Sequence, residues 1–340
     1  MKFDKLVVLS IVLCAAVLAG ELMAYGPNMR NYSADAEFGE ESVTISVTSS
    51  GADRYSSVFF DNGTHPAPAQ LYIYLDERYD KFLKEAKKNV GLKDLDLKYS
   101  IDQMCKLLKI RGFDSILTYS GEQLFAAMAE DMSGQTPKGL LVMSYALPES
   151  IYSGSEDCLL FEWIGHGNNL YWMSSPIGMF YHGGSGLITV ENNQEVFFGR
   201  ECVNMGNTNL ALSVIEAGGL TDALALKWNR VLYGLDASGL YGAFSMGFSQ
   251  DGYSSVSMVP FGDGMICVVG GEHDRYQRDD MAQVIASGLS CHSQILDARS
   301  GSVIRGTEKF LFEIPDDAEE LSVYVSIGGY YVVYGRAFKC

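Results

Sequence analysis

The five histidines and seven cysteines of this 340-residue chain are its most obvious candidates for ligating or nucleophilic chemistry. His166 stands between two glycines, His182 precedes Gly183-Gly184, and His273 closes the run Gly270-Gly271-Glu272-His273. Three imidazoles at the ends of neighbouring elements are one route to a metal centre. The spacing, however, carries neither an H-E-x-x-H pair nor two ligands on one helix face, so neither a metal nor a cofactor is expected. The cysteines show no C-x-x-C spacing, which removes a zinc ribbon and a dithiol redox motif. Cys14 lies in the N-terminal apolar run; the other six would allow up to three disulfides in an exported chain, although Ile266-Cys267-Val268 reads as a buried thiol. Gly183-Gly184-Ser185-Gly186 lacks the Lys-Ser/Thr of a phosphate loop and reads as a turn. Lys81, Lys84, Lys87 and Lys88, interleaved with Glu85, read as a solvated helix face.

Charge and targeting narrow the classes further. Forty-two acidic side chains against 25 basic ones give a net charge of −17, a field that repels polyanions, so nucleic acid is not an expected partner. The uncharged run of residues 6–20, behind Lys2 and Lys5 and extended by Leu22-Met23-Ala24-Tyr25, predicts a signal peptide or N-terminal membrane anchor over residues 1–25. The expected location is therefore extracytoplasmic, at the cell surface, either membrane-anchored or secreted. The membrane is then a partner through this segment. A cell-surface protein or a glycan is a second one, since tyrosines such as Tyr324, Tyr330, Tyr331 and Tyr334 would suit either surface. Two acceptor triplets, Asn31-Tyr32-Ser33 and Asn62-Gly63-Thr64, accord with export.

The elements that must position any site follow from periodicity. Residues 26–69 read as a polar tether with short strands, among them Val43-Thr44-Ile45-Ser46-Val47, ending at His65-Pro66-Ala67-Pro68. From residue 70 to 291 short apolar strands alternate with helical stretches: a strand at 71–75, a helix opened by the capping box Ser100-Ile101-Asp102-Gln103, a strand at 115–119, a helix at 122–132, a strand at 139–144, a helix at 156–165 and a strand at 169–173. Residues 183–257 read as a β-rich insertion, after which a strand at 265–269 and a helix at 279–287 resume the rhythm. Residues 292–340 read as a C-terminal β extension. The predicted fold is α/β: three layers around a mostly parallel, flavodoxin-like sheet with helices on both faces.

Three stretches carry a resemblance. Gly139-Leu140-Leu141-Val142-Met143, then Gly167-Asn168-Asn169-Leu170-Tyr171-Trp172-Met173-Ser174-Ser175, then Gly262-Asp263-Gly264-Met265-Ile266-Cys267-Val268-Val269 with His273 beyond it, are in this order similar to the class I glutamine amidotransferase-like fold over about residues 71–287. That family delivers a nucleophile on one strand-to-helix turn and a histidine after a later strand. The resemblance implies Ser174 at the nucleophile position and His273 at the base position, and the family's cysteine is absent. Together with the N-terminal segment, it implies an exported, membrane-tethered, non-catalytic binding or scaffolding protein. The alternative is a serine peptidase or amidase, with Ser174 as nucleophile, His273 as base, Glu272 or Asp274 orienting the ring, and backbone N–H groups as oxyanion hole. The flanks Trp172-Met173 and Ser175-Pro176 depart from the glycine-bordered turn such a nucleophile requires.

Overall fold

The computed structural model describes residues 31–63, 67–76, 96–134, 136–173, 177–184, 186–204, 224, 226, 234–248, 252–270, 275–328 and 331–338. The first strands are β1 (Tyr32–Phe38), β2 (Ser42–Asp61) and β3 (Gln70–Tyr74), followed by α1 (Leu97–Ile110), β4 (Ile116–Tyr119), α2 (Gly121–Asp131), β5 (Lys138–Val142) and β6 (Ala146–Pro148). Then come α3 (Leu159–Gly165), β7 (Asn169–Trp172), β8 (Phe180–Gly183), β9 (Gly186–Thr189), α4 (Asn193–Phe198), β10 (Val203–Asn204) and β11 (Gly234–Leu235). The chain continues through β12 (Phe244–Phe248), β13 (Ser254–Phe261), β14 (Gly264–Val269), α5 (Arg275–Ser287), β15 (Gln294–Glu313), β16 (Glu320–Ile327) and β17 (Tyr331–Phe338).

The central sheet is set by strands that are apolar on both faces. In β3, Leu71 and Ile73 enter one core while Tyr72 and Tyr74 enter the other, as the two-residue period of a strand requires. Leu97, Ile101, Met104 and Leu108 of α1 cover the first face together with Met281, Val284 and Ile285 of α5. Leu124 and Met128 of α2 and Leu160, Trp163 and Ile164 of α3 cover the second. The start of α1 is fixed by Asp96, whose side chain accepts from the Tyr99 backbone N–H at 2.9 Å, so the helix opens one turn before the capping box read at Ser100. Gly112, at φ +80°, supplies the left-handed residue beyond its end.

β4, β3, β5, β7 and β14 lie side by side and parallel. Beyond β14 the sheet turns antiparallel through β13, with β12 and β11 both paired to β13 and β10 outside β11. This nine-stranded mixed sheet corrects the mostly parallel, flavodoxin-like architecture predicted from the sequence. The difference has a local cause: β13 and β14 are joined by the tight turn at Gly262-Asp263, and a two-residue connection permits only an antiparallel neighbour.

A second, five-stranded antiparallel sheet is made of β1, β2, β15, β16 and β17. The polar-looking residues 42–61 form the single 20-residue strand β2, because Val43, Ile45 and Val47 alternate with Ser and Thr and present one buried row. β15 pairs with β2 along its whole length, with register shifts at Ile295/Asp297 and Ile304/Gly306, the second beside Arg305 at φ +43°. The paired ribbon bends back on itself: Tyr55 stacks on Phe310 at 5.3 Å and Phe59 on Phe312 at 5.2 Å, although the ladder pairs Phe310 with Ile45 and Tyr55 with Gly301. On the other face of β2, Val58 and Phe60 enter the α/β core beside Tyr324 of β16. A buried network ties this contact together. Arg111 donates from Nε to Gln283 at 2.8 Å and from Nη1 to the Leu107 carbonyl at 2.9 Å, and its Nη2 pairs with Asp279; the Tyr324 hydroxyl also donates to Gln283.

Two expectations about export meet the structure here. Among the described residues no helix is long and apolar enough to cross a membrane, and this corrects the membrane partnership drawn from the sequence; residues 1–25, which carried it, lie outside the described residues. Asn62, one of the two glycan acceptors, is 1% exposed, donates to the Gly288 carbonyl at 3.1 Å and accepts from Ser293, so the folded chain withholds it.

Candidate functional site

β3 leads through α1 to β4 on one side, and the chain then returns through α2 to β5 on the other. The region outside the carboxyl ends of β3 and β5 is therefore where the winding direction reverses, the place at which open α/β sheets hold ligands. Three side chains meet at it. Tyr74, the last residue of β3, is fully buried, and Asp76 follows two residues later at 7% exposure. His182 of β8, 5% exposed, comes from 108 residues further along the chain.

The path from β5 explains how His182 arrives. After β5 the chain passes Ser144 and Tyr145, and Tyr145 takes φ +59°, a left-handed conformation that is uncommon for a bulky residue. The Ser144 hydroxyl donates to the Ala146 carbonyl at 2.6 Å, and the reversed chain runs into β6. β6 pairs in parallel with β8, with Pro148 opposite His182, and the Glu149 N–H donates to the His182 carbonyl at 2.9 Å. β9 completes the small three-stranded sheet, where a Cβ on Gly183 would lie 2.5 Å from Ile188 Cδ1 and would oblige that half-buried side chain to turn aside. An aromatic cluster supports the base of this sheet. Tyr152, Phe161 and Phe197 pack edge to face, and the Tyr152 hydroxyl donates to the Gly178 carbonyl at 2.8 Å.

The Tyr74 hydroxyl lies 3.0 Å from Asp76 Oδ2 and 3.0 Å from His182 Nδ1. A carboxylate only accepts, so the hydroxyl proton points to Asp76 and the phenolic oxygen accepts from Nδ1–H of the ring. This arrangement selects the tautomer with its basic lone pair on Nε2. Chemically the arrangement can pass a proton between the ring and the carboxylate through the phenol, and Nε2 itself is buried.

Elsewhere the chemistry-bearing residues are held in structural roles. The Asp131 carboxylate accepts from the Tyr72 hydroxyl at 3.2 Å and from Trp163 Nε1 at 3.3 Å, and burial holds it above the usual carboxylate range against the pull of those two donors. Cys105, Cys158, Cys202, Cys267 and Cys291 are free thiols, so none of these five takes part in the disulfides that the cysteine count allowed. Burial pushes all five upward, Cys202 to about 11 and Cys291 to about 12, which makes them poor nucleophiles. His166 caps the end of α3, with Nδ1 2.8 Å from the Glu162 carbonyl. Among the described residues no three His, Cys, Asp or Glu side chains converge on a position for a metal ion.

Ser174, Glu272, His273 and Asp274 lie outside the described residues. The strands that precede them are parallel neighbours, with Trp172 of β7 opposite Val268 of β14. The residues that do meet, Tyr74 and Asp76 with His182, were passed over in sequence except for the histidine. The available signal was an aspartate placed directly after the apolar run Leu71-Tyr72-Ile73-Tyr74-Leu75.

No protein-family model and no curated protein matches the chain. Solved structures do. The chain is similar to the cold-adapted beta-galactosidase from Rahnella sp. R3 at 14% identity, with 73% of this chain and 41% of that one covered and a TM-score of 0.40. It is similar to a catalytic mutant of Gan42B, a GH42 beta-galactosidase from G. stearothermophilus, at 15% identity, over 80% of this chain and 41% of that one, with a TM-score of 0.40. A third is the exo-beta-1,4-mannosidase Op5Man5 from Opitutaceae bacterium strain TAV5, at 13% identity over 65% and 32%, with a TM-score of 0.34. The chain thus spans about two fifths or less of the length of these proteins. The likeness to the class I glutamine amidotransferase-like fold is corrected together with the mostly parallel architecture it implied, since the sheet is mixed; the solved structures reported above are named as beta-galactosidases and a mannosidase. The non-catalytic scaffold and the serine hydrolase that the likeness implied are withdrawn with it.

Proposed function

We propose that the chain is an enzyme that works by general acid–base catalysis beyond the carboxyl ends of β3 and β5. The observation that carries this reading is the Tyr74 hydroxyl bridging the Asp76 carboxylate and the His182 ring, each partner 3.0 Å away. In this reading His182 is the base at Nε2, an atom buried in this structure, so water or a substrate hydroxyl must displace its cover to reach it. The positive charge that develops on the ring is balanced through Tyr74 by Asp76, inside a site where low polarity strengthens such pairing. Tyr74 holds the ring in one tautomer and one orientation, which frees the reacting step from that search.

The test is turnover of a substrate panel that includes aryl β-galactosides, aryl β-mannosides and acetyl esters, measured across pH 5 to 9 for the unmodified chain, His182→Gln and Tyr74→Phe. A positioned base contributes about 10²–10⁴-fold, so His182→Gln is expected to lose at least a hundredfold, and Tyr74→Phe is expected to lose rate and move the pH profile. Nitrogen-15 imidazole spectra supply a readout that needs no substrate: protonated Nδ1 in the unmodified chain and a tautomer mixture in Tyr74→Phe. Unchanged spectra and an unchanged pH profile in Tyr74→Phe would refute the relay.

A further inference from the structure

Away from this site, the bend of the β2–β15 ribbon leaves a groove of about 1180 Å³ between the two halves of β15. Asp297 and Arg299 line it from one half and Leu311 and Glu313 from the other, with Phe59 between them and Glu41 at the mouth. Among the described residues β15 hydrogen-bonds to β2 alone, so its outer edge presents backbone N–H and C=O groups over much of its 20 residues. Proteins normally blunt an edge of this length. Here the two register shifts and several charged side chains interrupt the edge, and between them it carries Ile304 and Leu311, 73% and 52% exposed.

The chemistry of the groove names its occupant. Carboxylates of Glu41, Asp297, Glu313 and Asp316 stand around it, and its one cation among the described residues, Arg299, is already paired with Asp297 at 3.1 Å and laid over the Phe312 ring at 5.2 Å. A second copy of the chain would bring the same acidic rim against itself, which like-charge repulsion disfavours. An extended segment with basic side chains on one face and aliphatic ones on the other satisfies every group at once. Its backbone continues the β15 ladder, its apolar face covers Leu311, and its cations meet Glu41 and Glu313. We propose that the groove and free edge of β15 receive a basic, extended peptide segment of a partner protein, added as a further strand.

The experiment uses the full chain and fluorescent peptides of about six residues, the usual strand length, alternating Lys with Val. Matched peptides carry Glu in place of Lys, or N-methyl groups on alternate amides. Saturable binding of the Lys/Val peptide that weakens with added salt is expected, with no binding of the Glu/Val or N-methylated forms. Glu41→Gln with Glu313→Gln, both on the exposed rim, is expected to weaken binding about tenfold, roughly threefold for each lost exposed charge. Equal binding by the N-methylated peptide, undiminished binding by the double variant, no binding of the Lys/Val peptide at millimolar concentration, or self-association through β15 in sedimentation would each overturn the proposal.

Discussion

Replacing Arg111 with Met tests whether the buried network between α1, α5 and β16 holds the two sheets together. The guanidinium is 4% exposed and spends three groups on Gln283, Leu107 and Asp279. Methionine keeps most of the stem's volume, so the loss is electrostatic rather than a cavity. Removing one member of a buried ion pair costs about 3–5 kcal/mol, because the other charge stays behind with its desolvation unbalanced. That is a factor of roughly a hundred to a few thousand in the folding equilibrium, given tenfold for each ~1.4 kcal/mol. Gln283 loses a charged donor but keeps the Tyr324 hydroxyl, so its share of the loss is small. The assay is urea unfolding followed by circular dichroism, run on Arg111→Met, Asp279→Asn and the double variant. Recovery of about half the single-variant loss in the double variant is expected, since neither charge then lies buried alone. A cost under ~1 kcal/mol for Arg111→Met, or strictly additive single effects, would show that the pair is solvated and that the reasoning about its burial is wrong.

Two further outcomes bear on the site and its support. Gly183→Ala places a methyl 2.5 Å from Ile188 Cδ1 and 3.6 Å from Glu149 Oε2, so it should cost about 1–3 kcal/mol and displace His182, read as lower stability together with loss of the Nδ1–H imidazole signal; retention of both would argue that the three-stranded sheet yields freely. Asp131 holds its proton more tightly in the folded chain than in the unfolded one, so its contribution to stability declines as pH rises from the ordinary carboxylate range through its raised value, and Asp131→Asn should remove that decline, so that stability climbs more steeply with pH through this range; an unaltered slope would place the charge in water.

Local structure was legible in the sequence where neighbouring residues decide it. The apolar run at 71–75 and the helix at 122–132 correspond to β3 and α2, and the capping pair Ser120 and Gln123 shows why α2 begins where it does. Long-range pairing was not legible. β2 and β15 are each 20 residues long, and β15 is Ser-, Gly- and charge-rich with only Val303 and Phe312 buried, so its sequence gives almost no alternation to read. The site failed for the same reason. Tyr74 reads as strand packing until β6 and β8 carry His182 over it, and that approach depends on a left-handed tyrosine that no propensity favours.

Because β1 and β2 belong to the same sheet as β15, β16 and β17, the sheet's ladder cannot close until nearly the whole chain has left the ribosome. The α/β core can assemble in the meantime from residues already made, while β2 waits with Val43, Ile45, Val47 and Phe59 uncovered. Synthesis at about 5–20 residues per second makes that wait a matter of many seconds, long against the microseconds to milliseconds in which strands find wrong neighbours. For this chain, the vulnerable stage is vectorial synthesis rather than the finished fold, and slow translation or a lost holdase would be felt first as aggregation of nascent chains through β2.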